Sequence, residues 1–175
     1  MILMGAQSRL LPPSIPFRFF AAAVVFQGLS WGLFALDADQ VPNFLGGPGW
    51  ILAGVHALTL GVLVMTAIGA SFQILPVVTG QSLMALWPCR LTFWLYAPGT
   101  AVMVFGLAEA DATALALGGV LVGAGLALFA VLMADVLRRT RGMRTLVLHA
   151  WAAPPAPARL VRPGLPRPLT PHLAP

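Results

Sequence analysis

Residues 112–137 read ATALALGGVLVGAGLALFAVLMADVL, a stretch in which Asp135 is the only ionisable side chain. A run of 18 or more apolar residues reads as a membrane span, because about 20 helical residues cross a bilayer core of roughly 30 Å. Three further stretches, 17–36, 49–75 and 91–108, have the same character. Between them lie turn-forming segments such as Pro42, Gly46, Gly47 and Pro48. The expectation is an all-α polytopic membrane protein, with four transmembrane helices in an up-and-down bundle. Composition agrees: 59% of the 175 residues are hydrophobic and 9% are charged, against about 25% charged in a soluble domain. Such a chain must turn much of its surface to lipid.

The charged residues orient the bundle. Arg9 and Arg18 precede or open the first span, Arg90 lies between the second and third, and Arg138, Arg139, Arg141 and Arg144 follow the fourth. Asp37, Asp39, Glu109 and Asp111 fall in the other two loops, which hold no basic residue. Cytoplasmic loops carry an excess of basic residues, so both ends of the bundle are expected in the cytoplasm. All ten basic residues are Arg. They stand at span ends and in the tail rather than on one folded face, which argues against nucleic acid as a partner. The lone Cys89 excludes a disulfide framework within one chain.

Outside the spans the chain divides simply. Residues 1–16 form a leader with Pro12, Pro13 and Pro16, and the apolar run after them is too long for a cleavable signal core. Residues 17–153 form the helical domain. Within it, residues 145–153 (TLVLHAWAA) resemble the start of a fifth helix that is abandoned. Residues 154–175 hold eight Pro and three Arg and are expected to be a disordered tail. The chain is therefore expected to be a truncation, or the first part of a longer membrane protein.

Within the spans, Gly119 and Gly123 form a small-xxx-small pair suited to close helix packing, and Gly54, Gly61 and Gly69 line one side of the second span. Pro98 is expected to kink the third span. Trp31, Trp50, Trp87, Trp94 and Tyr96 are expected to be interfacial anchors. Asp135 is placed to pair with Arg138 or Arg139.

The second span carries the one polar stripe. At 3.6 residues per turn, His56, Thr59, Thr66 and Gln73 fall within about 100° of one another. Gln27 and Ser30 of the first span are expected to pack on that stripe through interhelical hydrogen bonds. For a lone imidazole such as His56, an interhelical hydrogen bond outweighs metal ligation on spacing alone. No Gly-rich phosphate loop, Cys-x-x-Cys pair or Ser-His-acid triad is present.

His56, Gly69, Phe72, Pro76 and Gly80 give this span its resemblance to the second helix of the catalytic subunit of haem-copper oxidases and the related nitric oxide reductases. The likeness covers about 25 residues. It implies a haem b ligated by His56, with Thr59 and Gly61 lining the site. It further implies respiratory electron transfer in a bacterial cytoplasmic (inner) membrane. Such an oxidase needs several more histidines, and only His149 and His172 accompany His56. The chain is thus not expected to be catalytic alone, but to work with partner membrane subunits or as a homo-oligomer. The competing expectations are a non-catalytic structural membrane subunit and a fragment of a transporter.

Overall fold

The computed structural model describes residues 11–83 and 85–140. Four long helices make up this part: α1 (Ser14–Leu36), α2 (Trp50–Thr79), α3 (Trp87–Ala108) and α4 (Ala112–Arg139). Each is long and apolar enough to cross a membrane. They run up and down, so the starts of α1 and α3 and the ends of α2 and α4 share one end. That end carries Arg18, Arg90, Arg138 and Arg139, and the opposite end carries Asp37, Asp39, Glu109 and Asp111. The proposed fifth helix, the proline-rich tail, His149 and His172 lie outside the described residues.

Three helix boundaries differ from the sequence expectation by about a turn. Helix α2 does not stop at Pro76 but continues to Thr79 and ends at Gly80, whose φ of 68° gives the left-handed cap. A proline costs the helix one N–H, and the bilayer tolerates it where neighbours re-satisfy the ladder. By the same logic α3 runs unbroken through Pro98 from Trp87 to Ala108. It also begins earlier than Leu91, because Pro88 suits a first turn. Cys89 and Arg90 therefore belong to α3 and not to a loop. The first helix opens at Ser14, just after Pro12 and Pro13.

Close packing is built differently in the two halves. Between α1 and α2, phenylalanines fill the space left by glycines. Phe34 stands over Gly54, Phe26 over Gly61 and Phe19 over Gly69. The expected role of these three glycines in packing is thus given its partners. Between α3 and α4, backbone meets backbone. A Cβ added to Gly106 would strike the backbone of Ala114 and Leu115, and one on Gly118 the backbone of Met103. Gly99 faces Leu121 and Val122, and Gly125 faces Tyr96. The four contacts step away in register from the tight turn at Glu109–Asp111. There Ala110 takes a φ of 53°, and Asp111 caps α4 by accepting from the N–H groups of Thr113 and Ala114 at 2.8 and 3.1 Å.

The expected pair Gly119 and Gly123 is not the packing pair. Both lie on the exposed side of α4 with nothing near their Cβ positions. The spacing was right for close approach, but Gly118 and Gly125 hold the face that turns to α3.

Towards the basic end the core is aromatic. Phe19 of α1, Phe72 of α2, Phe93 of α3 and Phe129 of α4 form a chain of ring contacts at 5.2 to 5.7 Å. Each such pair contributes about 0.5–1.5 kcal/mol beyond its burial. Every helix thus sends one ring to a common point. The Arg18 guanidinium lies 5.7 Å from the Phe93 ring centroid and joins α1 to α3 there.

Backbone contact on one face of α4 predicts opposite outcomes for adjacent substitutions. Gly118→Ala should cost about 1–3 kcal/mol by overpacking against Met103. Gly119→Ala should be neutral or stabilising by up to about 1 kcal/mol through helix propensity. Thermal unfolding in detergent micelles checks this, and equal losses for the two variants would contradict the packing.

Candidate functional site

Helix α2 is not uniform. It is α-helical over Trp50–His56, winds as a π-helix over Ala57–Val64, and returns to α-helix over Met65–Thr79. Such π segments are rare and often mark functional sites. Here the segment begins immediately after His56. Its wider winding sets the residues beyond it in a different phase, so the polar stripe deduced at 3.6 residues per turn does not persist along α2.

His56 lies roughly 9 Å along the helix from Trp50. It is half-buried, with Val55 and Thr59 exposed beside it. Its Nδ1 sits 2.9 Å from the carbonyl oxygen of Leu52, one turn back. A carbonyl only accepts, so Nδ1 carries the hydrogen and donates it. In the neutral ring, Nε2 is then left with its lone pair. Metal-ligating histidines show the same arrangement, in which one ring N–H donates to a carbonyl or carboxylate and so fixes the tautomer and orients the other nitrogen. The bond is intrahelical. The interhelical hydrogen bond expected of His56 is therefore replaced by one within α2, and that nitrogen does not join helices.

The other residues expected at the site differ in their surroundings. Thr59 is exposed and donates its hydroxyl to Val55 O at 2.9 Å, again one turn back. Gly61 is buried in the α1–α2 contact, where Phe26 occupies the space that a cofactor would need. Thr66 lies with Gln27 in a groove of α1 and α2. Gln73 has a buried Oε1 with no hydrogen-bond partner among the described residues.

Two side chains do join the helices here. Ser30, fully buried on α1, donates to Gly54 O of α2 at 2.9 Å, an interhelical bond of the kind expected of it. Tyr96 of α3 donates to Leu60 O, inside the π segment, at 3.0 Å. Tyr96 is fully buried, packed against Gly125 of α4. It is not the interfacial anchor that its chemistry suggested, whereas Trp31, Trp87 and Trp94 are each more than 60% exposed, as anchors are. The signal for Tyr96 was its spacing: Thr92, Tyr96 and Thr100 recur every four residues and share the buried face of α3.

The chemistry available is limited and specific. Among the described residues His56 is the one imidazole, and no three His, Cys, Asp or Glu side chains gather to hold a metal ion. One oriented nitrogen on a half-open face can offer at most one ligand. It does not form an enclosed cage.

Removing the Tyr96 hydroxyl isolates its contribution. Tyr96→Phe keeps the ring against Gly125 and should cost about 0.6 kcal/mol, the average for a side-chain hydrogen bond between membrane helices. Denaturant titration in micelles measures it, and a loss above roughly 2 kcal/mol would mean that the ring was displaced as well. Compared with family models, with curated proteins and with solved structures, the chain matches none.

Proposed function

We propose that the chain is a haem-b-associated membrane protein of respiratory type, in which His56 supplies one axial ligand through Nε2. The observation that supports this most is the Nδ1 bond to Leu52 O, which leaves the ligating nitrogen unprotonated in the neutral ring. The resemblance of α2 to the second helix of the haem-copper oxidase catalytic subunit supports it from the sequence side, and the chain is read as a diverged relative of that subunit.

A haem bound there supplies one-electron redox chemistry. The chain's own residues do the rest. The Leu52 carbonyl fixes the imidazole tautomer. The Tyr96 hydroxyl ties the π segment next to His56 to α3. Phe26 closes the space at Gly61, so a haem held by His56 would rest on the half-exposed side of α2 and not between α1 and α2. A second ligand would come from outside the described residues, for example from a partner subunit or a second copy.

The positive-inside rule sets the orientation in a bacterial cytoplasmic (inner) membrane. The end with Arg18, Arg90, Arg138 and Arg139 faces the cytoplasm, and both ends of the bundle lie there. His56 then lies towards the outer face.

A reduced-minus-oxidised spectrum of the purified protein, loaded with haem b, tests the ligand. The wild type should show a haem signal, and His56→Ala should lower the retained haem about tenfold or more. A signal that survives the substitution sinks the assignment, and a folded wild type that retains no haem sinks the reading altogether.

A further inference from the structure

At the basic end, Leu83 of the α2–α3 loop, Pro88 of α3, and Val131, Leu132, Asp135 and Arg138 of α4 border a groove of about 410 Å³. The walls are apolar except at one place. Arg138 lies seven residues after Val131, so the groove descends roughly 10 Å into the span from its charged mouth. A soluble anion needs the mouth only. A molecule with a charged head and an apolar tail matches the whole length.

The charges at the mouth are not equivalent. The Asp135 carboxylate accepts from both the Nε and an Nη of Arg139, the latter at 2.6 Å. The other Nη of Arg139 donates to Ser82 O at 3.2 Å and fastens the α2–α3 loop to α4. Asp135 is thereby neutralised within α4. Arg138 is exposed and has no carboxylate partner among the described residues. The net charge at the mouth is positive, and its source is Arg138. Beside it α3 begins with no side-chain cap on its first-turn N–H groups, so the positive end of that helix adds to the same field.

We propose that this groove seats one anionic phospholipid, with its phosphate on Arg138 and an acyl chain against Leu83, Pro88, Val131 and Leu132. Guanidinium and phosphate form charge-assisted hydrogen bonds, and basic pockets between membrane helices select anionic headgroups. The Asp135–Arg139 pair keeps the one nearby carboxylate from repelling the phosphate.

Native mass spectrometry of the detergent-purified protein tests this, using phosphatidylglycerol and phosphatidylcholine with identical acyl chains. One phosphatidylglycerol should stay bound at concentrations where phosphatidylcholine is lost. Arg138→Gln, an exposed change that leaves the fold intact, should lower its retention at least fivefold, while Arg18→Gln should not. Ala134→Trp, which fills the groove, should abolish retention, and inorganic phosphate should not displace the lipid. Equal retention of the two lipids, or unchanged retention in Arg138→Gln, would overturn the proposal. Displacement by inorganic phosphate would reduce the site to a bare anion contact and overturn it too. A dimer that Ala134→Trp breaks, with no preference for the anionic lipid, would assign the groove to a second copy instead.

Discussion

The antiparallel glycine contact between α3 and α4 is the constraint on which the rest of the bundle depends. Lipid tails are as apolar as leucine, so membrane helices gain little from hiding apolar surface and associate through close packing and interhelical hydrogen bonds. At Gly99, Gly106, Gly118 and Gly125 the two helices approach until backbone touches backbone or the base of a side chain. The contact starts at the Asp111-capped turn and extends in register down both helices. It sets the position of Tyr96, whose Cβ rests against Gly125. The Tyr96 hydroxyl then reaches Leu60 of α2.

From there the dependence passes to the candidate site. Helix α2 is held from one side by three phenylalanines of α1 and from the other by Tyr96. The π segment lies between these supports, and His56 stands at its edge. An i→i+5 segment is intrinsically less favourable than an α-helix and persists where surrounding structure requires it. Here the Leu60 carbonyl accepts from the Met65 N–H, five residues on, and also from Tyr96. The imidazole is therefore attached to a piece of helix whose phase is fixed by contacts from two neighbours.

The architecture was readable from the sequence because the bilayer makes length and charge decisive. Four apolar runs gave four helices, and the Arg residues separated from the four acidic residues of the loops to opposite ends of the bundle. What could not be read was the facing of each helix. Gly119-xxx-Gly123 and Gly118/Gly125 are equally glycine-rich, and only the register imposed by the turn at Ala110 turns the second pair to α3. Prolines were read as stops at Pro76, yet a membrane helix passes through when its freed carbonyl finds another partner. The π segment has no composition of its own, since ALTLGVLV is as good an α-helix as any neighbouring stretch. That is why a stripe drawn at 3.6 residues per turn, which grouped His56 with Thr66 and Gln73, does not persist through it. His56 itself was legible as the lone imidazole in a span, while its intrahelical partner, Leu52, was not.

The functional account rests on which nitrogen of His56 holds the proton. Nitrogen-15 NMR of the histidine-labelled protein in micelles, without haem, reads this directly once the His56 signals are assigned by their loss in His56→Gln. For the neutral form of the ring the account predicts the hydrogen on Nδ1, with Nε2 giving the shift of an unprotonated nitrogen. A ring protonated at Nε2 would contradict it, because the nitrogen offered to iron would then be the one bearing hydrogen.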